Sequence, residues 1–500
     1  MNTQTELRRL ERIVDSSEVA PRVEAMLATG PRPRQLSVRT LLLGMLLSAL
    51  DGRPAHLTRV HQALTSLPEP EQLRLGVIAQ WREGPHRLTY RQLERTSSLV
   101  ARALAREQPD GTPSEGLSEV LDGLLEESVR ACGEPASSSY AVDWTDLESF
   151  ARPPREDRSC SDPEASWGHR RGDGRGGTEQ PFFGYYLQVA TAVRDERGEQ
   201  APELVRRIQL TSCQVDPPAA LVPVIERMVA SGVSVTDLLA DSGYAYRKAE
   251  TWALPLRRLG VRLVQDLHPR DRGPRGTHKG AVLANGNLYC PATPRPLLKL
   301  SPPARGASEQ ELSADDRKAG ELHRYKLGRL SRHDPDGYHR VACPAARGKL
   351  RCPLRPQSLA LPHDRPEVLE PPAEPPPCCR QRTITVPPSV NAKTAQKHDY
   401  PSPAHRRSYA RRTAAERAYA SVKDRATNDL SRGWCRLTGP TPIALFAAAL
   451  FVARNLRVAD AFVARQAEQR RRAKAGLPPR PRRRRRRTAE DLIAAANAPP

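Results

Sequence analysis

The strongest constraint on this chain is a change of apolar period near Ser138. The stretch SYAVDW alternates, with Tyr140 and Val142 on one face and Ala141 and Asp143 on the other. That period of two predicts a buried strand. After a polar, Gly-rich loop (172–177), Phe182–Val193 and Leu204–Thr211 predict a hairpin turning at Arg194–Gly198. Asp216-Pro217 then reads as the cap and first-turn proline of a helix. Leu221, Val224, Ile225, Met228 and Val229 form its apolar stripe, and Gly232 ends it. Val235–Ala240 reads as a strand, Tyr246–Leu259 as a helix and Val261–Leu267 as a strand. Three meandering strands followed by helix, strand, helix, strand predict an α/β sheet with helices on its faces.

The flanks differ. Residues 1–130 read as a helical N-terminal domain, a candidate DNA-reading module or a plain helical bundle. Its helices are predicted at Ser37–Leu50, at Leu57–Leu67 and from Thr89, where Thr89 and Gln92 suggest a capping box. Residues 136–269 form the first part of the core. Residues 270–405 hold 21 of the 48 prolines and five of the nine cysteines. So long a stretch is too large for an ordinary loop and reads as an inserted subdomain with disordered stretches, notably Pro371–Pro377. Residues 406–465 return to the core as helices, the last opened by Thr441-Pro442, and 466–500 read as an Arg-rich disordered tail.

Net charge is +22, with 69 Arg against 10 Lys, which points to a polyanionic partner. Between 465 and 487, twelve basic residues face one Glu, so this short stretch carries half of that excess. Arg482, Arg483, Arg484, Arg485, Arg486 and Arg487 in it are expected to bind nucleic-acid phosphates without reading sequence. The start is polar, and the longest apolar runs, Leu41–Leu50 and Ile443–Ala453, fall short of the ~20 residues that span a bilayer. Nine cysteines in 500 residues do not suggest a secreted disulfide framework, so a reducing cytoplasmic setting without membrane contact is expected.

The chemistry concentrates at Tyr409–Lys423, YARRTAAERAYASVK, which fits Y-x2-R-x3-E-x6-K. On one ideal helix, Tyr409, Arg412, Glu416 and Lys423 share an arc of about 60°, while Ala415, Ala418 and Val422 form a separate apolar stripe. A carboxylate flanked by Arg, Lys and Tyr suits a metal-binding group that meets a phosphate backbone. Two further carboxylates fall at strand positions, Asp143 on the first strand and Asp241 at the end of the fourth. The order of elements would bring all three together. Asp146, three residues after Asp143, is the alternative to it.

With AVDWTD around Asp143, LLADSGY around Asp241 and the Tyr409, Arg412, Glu416, Lys423 signature, the chain resembles the DDE transposases of bacterial insertion sequences, over residues 136–460. The resemblance implies an RNase H-like sheet. It also implies that Asp143, Asp241 and Glu416 hold two Mg²⁺ ions, with Mn²⁺ as a substitute, and that Tyr409, Arg412 and Lys423 hold DNA near the cut. The implied activity is cutting and joining of element ends by two-metal phosphodiester hydrolysis and strand transfer. The implied partners are double-stranded DNA (terminal inverted repeats and target) and a second copy of the chain, in the bacterial nucleoid. A repurposed DNA-binding protein of the same fold and a nuclease without strand transfer are the alternatives. Separately, Cys290, Cys343, Cys352, Cys378 and Cys379 in the insertion, near His323, His333, His339 and His363, are candidate zinc ligands, although no CxxC pair is present.

Overall fold

A computed structural model describes residues 3–27, 34–82, 84–105, 111–171, 179–304, 306–424 and 428–479. A six-stranded mixed sheet lies at its centre. Its strands are β1 (Ser139–Glu148), β2 (Ser166–Arg171), β3 (Glu179–Val193), β4 (Val205–Ser212), β5 (Asp237–Ala240) and β6 (Arg262–Gln265). β3 is antiparallel to β1 on one edge and to β2 and β4 in succession on the other. β5 continues the sheet parallel to β1, and β6 runs parallel to β5.

The strand β2 was not expected. Its sequence, SWGHRR, has no apolar alternation, and it pairs only with the first part of the long β3. The helix expected over Tyr246–Leu259 is broken into Ser242–Ala245, a 3₁₀ turn at Ala249–Thr251 and Ala253–Arg258. Pro255 sits in the first turn of the last piece, where it costs no intrahelical bond.

The alternation in β1 separates two cores. Tyr140 and Val142 pack with Leu221, Val224, Ile225 and Met228 of α7, defined below. Ala141 and Leu147 belong to a larger cluster that includes the N-terminal helices and the C-terminal helix.

Six N-terminal helices build one side of this larger cluster: α1 (Thr3–Ser16), α2 (Val19–Met26), α3 (Val38–Leu50), α4 (Leu57–Thr65), α5 (Tyr90–Leu104) and α6 (Glu115–Ala131). Ser37 caps α3 by accepting from the Thr40 amide, and the Thr89/Gln92 capping box forms as expected. α7 spans Pro217–Ala230, but the side chain of Asp216 makes no cap bond. It pairs instead with Arg247 at 2.7 Å, a tertiary partner that outcompetes the local one.

The insertion holds two three-stranded antiparallel sheets: β7 (Pro274–His278), β8 (Ala281–Ala284) and β9 (Asn287–Tyr289), then β10 (Gly328–Arg329), β11 (His339–Ala342) and β12 (Ile384–Val386). Between the sheets runs α8 (Glu309–Tyr325), capped by Ser308 with Glu311. Pro371–Pro377 leads into a short helix, Pro377–Arg380, that buries Cys378 and Cys379.

The chain re-enters the core through α9 (Pro403–Tyr409), α10 (Thr413–Val422) and α11 (Pro440–Lys474). α11 begins one residue before Thr441, after Gly439 at a φ of 86°, and runs on past 465 into the segment expected to be disordered. It is long and apolar enough to cross a membrane, yet 83% of its most apolar window is buried against the rest of the chain. Phe446, Phe451 and Leu456 pack there with the helices of 1–130 and with the sheet, so the N-terminal helices share the core of the sheet. Asn455 fixes the junction: its Oδ1 accepts from the Val205 amide at 2.8 Å, and its Nδ2 donates to the Val205 carbonyl at 2.7 Å and to Ser128 at 3.0 Å.

Candidate functional site

Strand pairing sets Asp143 beside Asp241. The parallel register of β1 and β5 ends at Ala141↔Leu239, so two further residues on each strand bring the two aspartates level. Asp241 terminates β5, and its Oδ1 accepts from the amides of Gly243 (2.8 Å) and Tyr244 (3.4 Å). Gly243 is required by packing: a Cβ there would lie 2.5 Å from the Trp144 ring. Trp144 meets Tyr244 edge-on at 4.6 Å.

α10 supplies the third carboxylate. Ala415, Ala418 and Val422 are buried against the sheet, as the apolar stripe predicted, and Ala414 is buried with them. The buried Tyr419 hydroxyl lies 2.8 Å from the carbonyls of both Asp143 and Leu187, which pins α10 to β1 and β3 at the aspartate itself. The sequence reading passed over Tyr419, although its place one turn after Glu416 on the buried side was the available signal.

The segment Tyr409–Lys423 is not one ideal helix. A 3₁₀ turn at Ala410–Arg412 separates Tyr409, the last residue of α9, from α10. Arg411 anchors that turn by donating to Ser139 Oγ (3.1 Å) and the Arg194 carbonyl (2.9 Å). Tyr409, Arg412 and Glu416 nonetheless meet. Arg412 lies over the Tyr409 ring at 5.5 Å, donates to Asp143 Oδ2 at 3.3 Å and pairs with Glu416. Lys423 is turned to the strand: its Nζ donates to Thr145 Oγ1 (2.7 Å) and the Asp146 carbonyl (2.9 Å). Tyr409 stacks on His405 with ring centroids 5.6 Å apart.

The electrostatics separate Asp143 from Asp146. Burial, followed by the charge of Asp241 and, more weakly, of Glu416, pushes the Asp143 carboxyl up to about 7, against the opposing pull of Arg412. Asp146 lies on the same strand, an odd number of residues away, and so on the opposite face. It pairs with Arg170 at 3.0 Å, and its Oδ1 lies 3.6 Å from Lys423. The groups that act on Asp143 are therefore the other two candidate carboxylates and Arg412.

Among the described residues, no three His, Cys, Asp or Glu side chains are drawn into a ready metal-ligand array. Arg412 instead neutralises Asp143 and Glu416. The donor set still suits a hard divalent cation: three carboxylates, of which one is raised by burial and then by its like-charged neighbours and would lose its proton to bound metal.

The other candidates lie elsewhere. All five insertion cysteines are buried. His323 pairs with Asp399 at 2.9 Å, His333 meets His339 edge-on, and His363 contacts Arg351. Arg482–Arg487 lie outside the described residues.

No family model matches the chain, and no curated protein matches it.

Proposed function

We propose that this chain is a DNA transposase with an RNase H-like core, in which Asp143, Asp241 and Glu416 hold two Mg²⁺ ions. The observation that carries the reading is the meeting of these three carboxylates at one end of the central sheet. Asp143 and Asp241 are level there, and Glu416 is tied to Asp143 through Arg412. The sheet supports it: β3 is antiparallel to β1, β2 and β4, and β1, β5 and β6 run parallel in that order.

Bound there, Mg²⁺ supplies Lewis-acid activation of an attacking hydroxyl and charge neutralisation at the leaving oxygen. The residues supply the rest. Asp143, whose carboxyl is raised to about 7, would give up its proton on holding the cation. The Tyr419 hydroxyl and the Trp144–Gly243 contact keep the carboxylates in register, because sub-ångström placement governs such chemistry. Arg412 is already desolvated and stacked on Tyr409. With a cation held by Asp143 and Glu416, the planar Arg412 fork would be free for phosphate oxygens, which such a fork binds bidentately. Lys423 donates to Thr145 Oγ1 and the Asp146 carbonyl of β1.

The test uses a plasmid that carries the ends flanking this reading frame, with Mg²⁺ or EDTA, and compares wild type with Asp241→Asn. Nicking at those ends that needs Mg²⁺ and is lost in the variant is expected. Nicking without strand-transfer products would point to a nuclease. Tight binding of the true ends with no cleavage would overturn the enzymatic reading and leave a DNA-binding protein.

A further inference from the structure

Two small apolar clusters hold the insertion, and thiols collect where they meet. Cys290, Cys343, Cys352 and Cys379 line one small, largely closed cavity of about 10 Å³. These four come from separate places in the sequence: the end of β9, the end of β11, the following turn, and the short helix Pro377–Arg380. The rest of the lining is aliphatic apart from Arg355.

Two observations make this more than a patch of small apolar side chains. First, three of the four thiols open the same local unit: Cys290-Pro-Ala, Cys343-Pro-Ala and Cys352-Pro-Leu. Second, the one charge on the wall lacks a counter-ion. Arg355 Nη2 donates to the carbonyls of Cys379, Arg380 and Gln381, while its Nε is buried with no hydrogen-bond partner, and no carboxylate pairs with it among the described residues. A half-buried guanidinium beside four thiols is compensated if the thiols carry negative charge.

We propose that Cys290, Cys343, Cys352 and Cys379 bind one structural zinc ion that fastens the insertion. Each thiol gives up its proton on binding. Four thiolates around Zn²⁺ leave a net charge of −2, and this charge answers Arg355. Zinc prefers four sulfurs in a tetrahedron at about 2.3 Å. The four residues line one cavity without forming such an array among the described residues, so metal binding must draw the sulfurs in. Cys378 lies outside the lining, with its sulfur 4.0 Å from that of Cys379, and is not a ligand. The four histidines of the insertion have the other partners described above and are absent from the lining. The site stands apart from the carboxylates, so it does not depend on the transposase reading.

The test is metal analysis of the full-length protein purified without chelator. One zinc per chain is expected, retained in Cys378→Ser and lost in Cys343→Ser and Cys379→Ser. Because a serine variant can fail to fold, wild type is also exchanged with Co²⁺. Intense thiolate-to-cobalt absorption with the visible bands of tetrahedral Co²⁺ supports the site. Zinc well below one per chain together with no such cobalt spectrum would overturn it, and so would full zinc retention in folded Cys343→Ser and Cys379→Ser.

Discussion

The central sheet and the insertion are two solutions to the same problem of burying a core. Around the sheet, strands, the N-terminal helices and α11 contribute to one large apolar cluster, and α7 backs a second on the opposite face. The insertion is of comparable length to 139–265 but has only small clusters, short strands and many prolines. Its order comes from point contacts. Gly280 has a φ of 81° and lies so close to Pro376 that a Cβ would sit 2.1 Å from that ring. Cys378 donates its amide to the Lys279 carbonyl at 3.0 Å, and Asn391 donates to the Gly286 carbonyl at 2.9 Å. A large core tolerates the loss of any one contact and resists the loss of volume. A stapled segment behaves in the opposite way.

That contrast can be broken most forcefully at α11. Phe446→Ala opens a cavity in the shared core and is expected to cost about 3–5 kcal/mol. In denaturant titration, the N-terminal helices and the sheet should lose stability together. Independent transitions for the two would show that 1–130 has its own core. A comparable loss is expected at Asn455→Ala, which strands the buried Val205 amide and carbonyl, at about 1–3 kcal/mol for each unsatisfied group. An equal loss from Asn455→Leu would show that packing rather than hydrogen bonding carries the junction. Conversely, prolonged chelation should expose the insertion to limited proteolysis while the main unfolding transition moves little. Coincident loss of both would mean that the two regions fold as one.

How legible each region was in the sequence follows from the same physics. In the core, period-two and helical stripes record burial directly, so β1, β3, β4, β5 and β6, α7 and the apolar face of α10 could be read. The edge strand β2 could not, because its order comes from pairing to the overlong β3 and not from its own alternation. The break at Ala410–Arg412 was also hidden, since it depends on Arg411 reaching Ser139 and Arg194 from far along the chain. Asp143, Asp241 and Glu416 were named from their spacing and element order. Which partner Arg412 and Lys423 would take needed coordinates. In the insertion, periodicity records almost nothing. The cysteines could be counted, but only the fold shows which four share a cavity.

A smaller effect tests the charge balance at the carboxylates. Asp143 is raised to about 7 by burial and by Asp241. The stability held in its protonated form is present at acid pH and is lost as pH rises through about 7. Cation binding runs the other way, strengthening up to about tenfold per pH unit below that midpoint as the competing proton leaves. In a Mn²⁺ titration followed by electron paramagnetic resonance, affinity should therefore rise between mildly acid and neutral pH and then level. A flat profile would mean that Asp143 is already ionised and does not exchange its proton for metal. The smallest effect is expected at Lys423→Gln, which gives up bonds to Thr145 and the Asp146 carbonyl, at about 1 kcal/mol of stability. The salt dependence of DNA binding should barely change, whereas a clear fall in that slope would make Lys423 a phosphate contact.

The most direct measurement compares Asp143→Asn with Asp146→Asn in Mg²⁺-dependent nicking of the flanking ends, with DNA binding measured in parallel. Loss of nicking in Asp143→Asn with binding retained, and near-normal nicking in Asp146→Asn, is the expected result. Full activity in Asp143→Asn, or loss confined to Asp146→Asn, would contradict the assignment of Asp143, Asp241 and Glu416 as the metal-binding set.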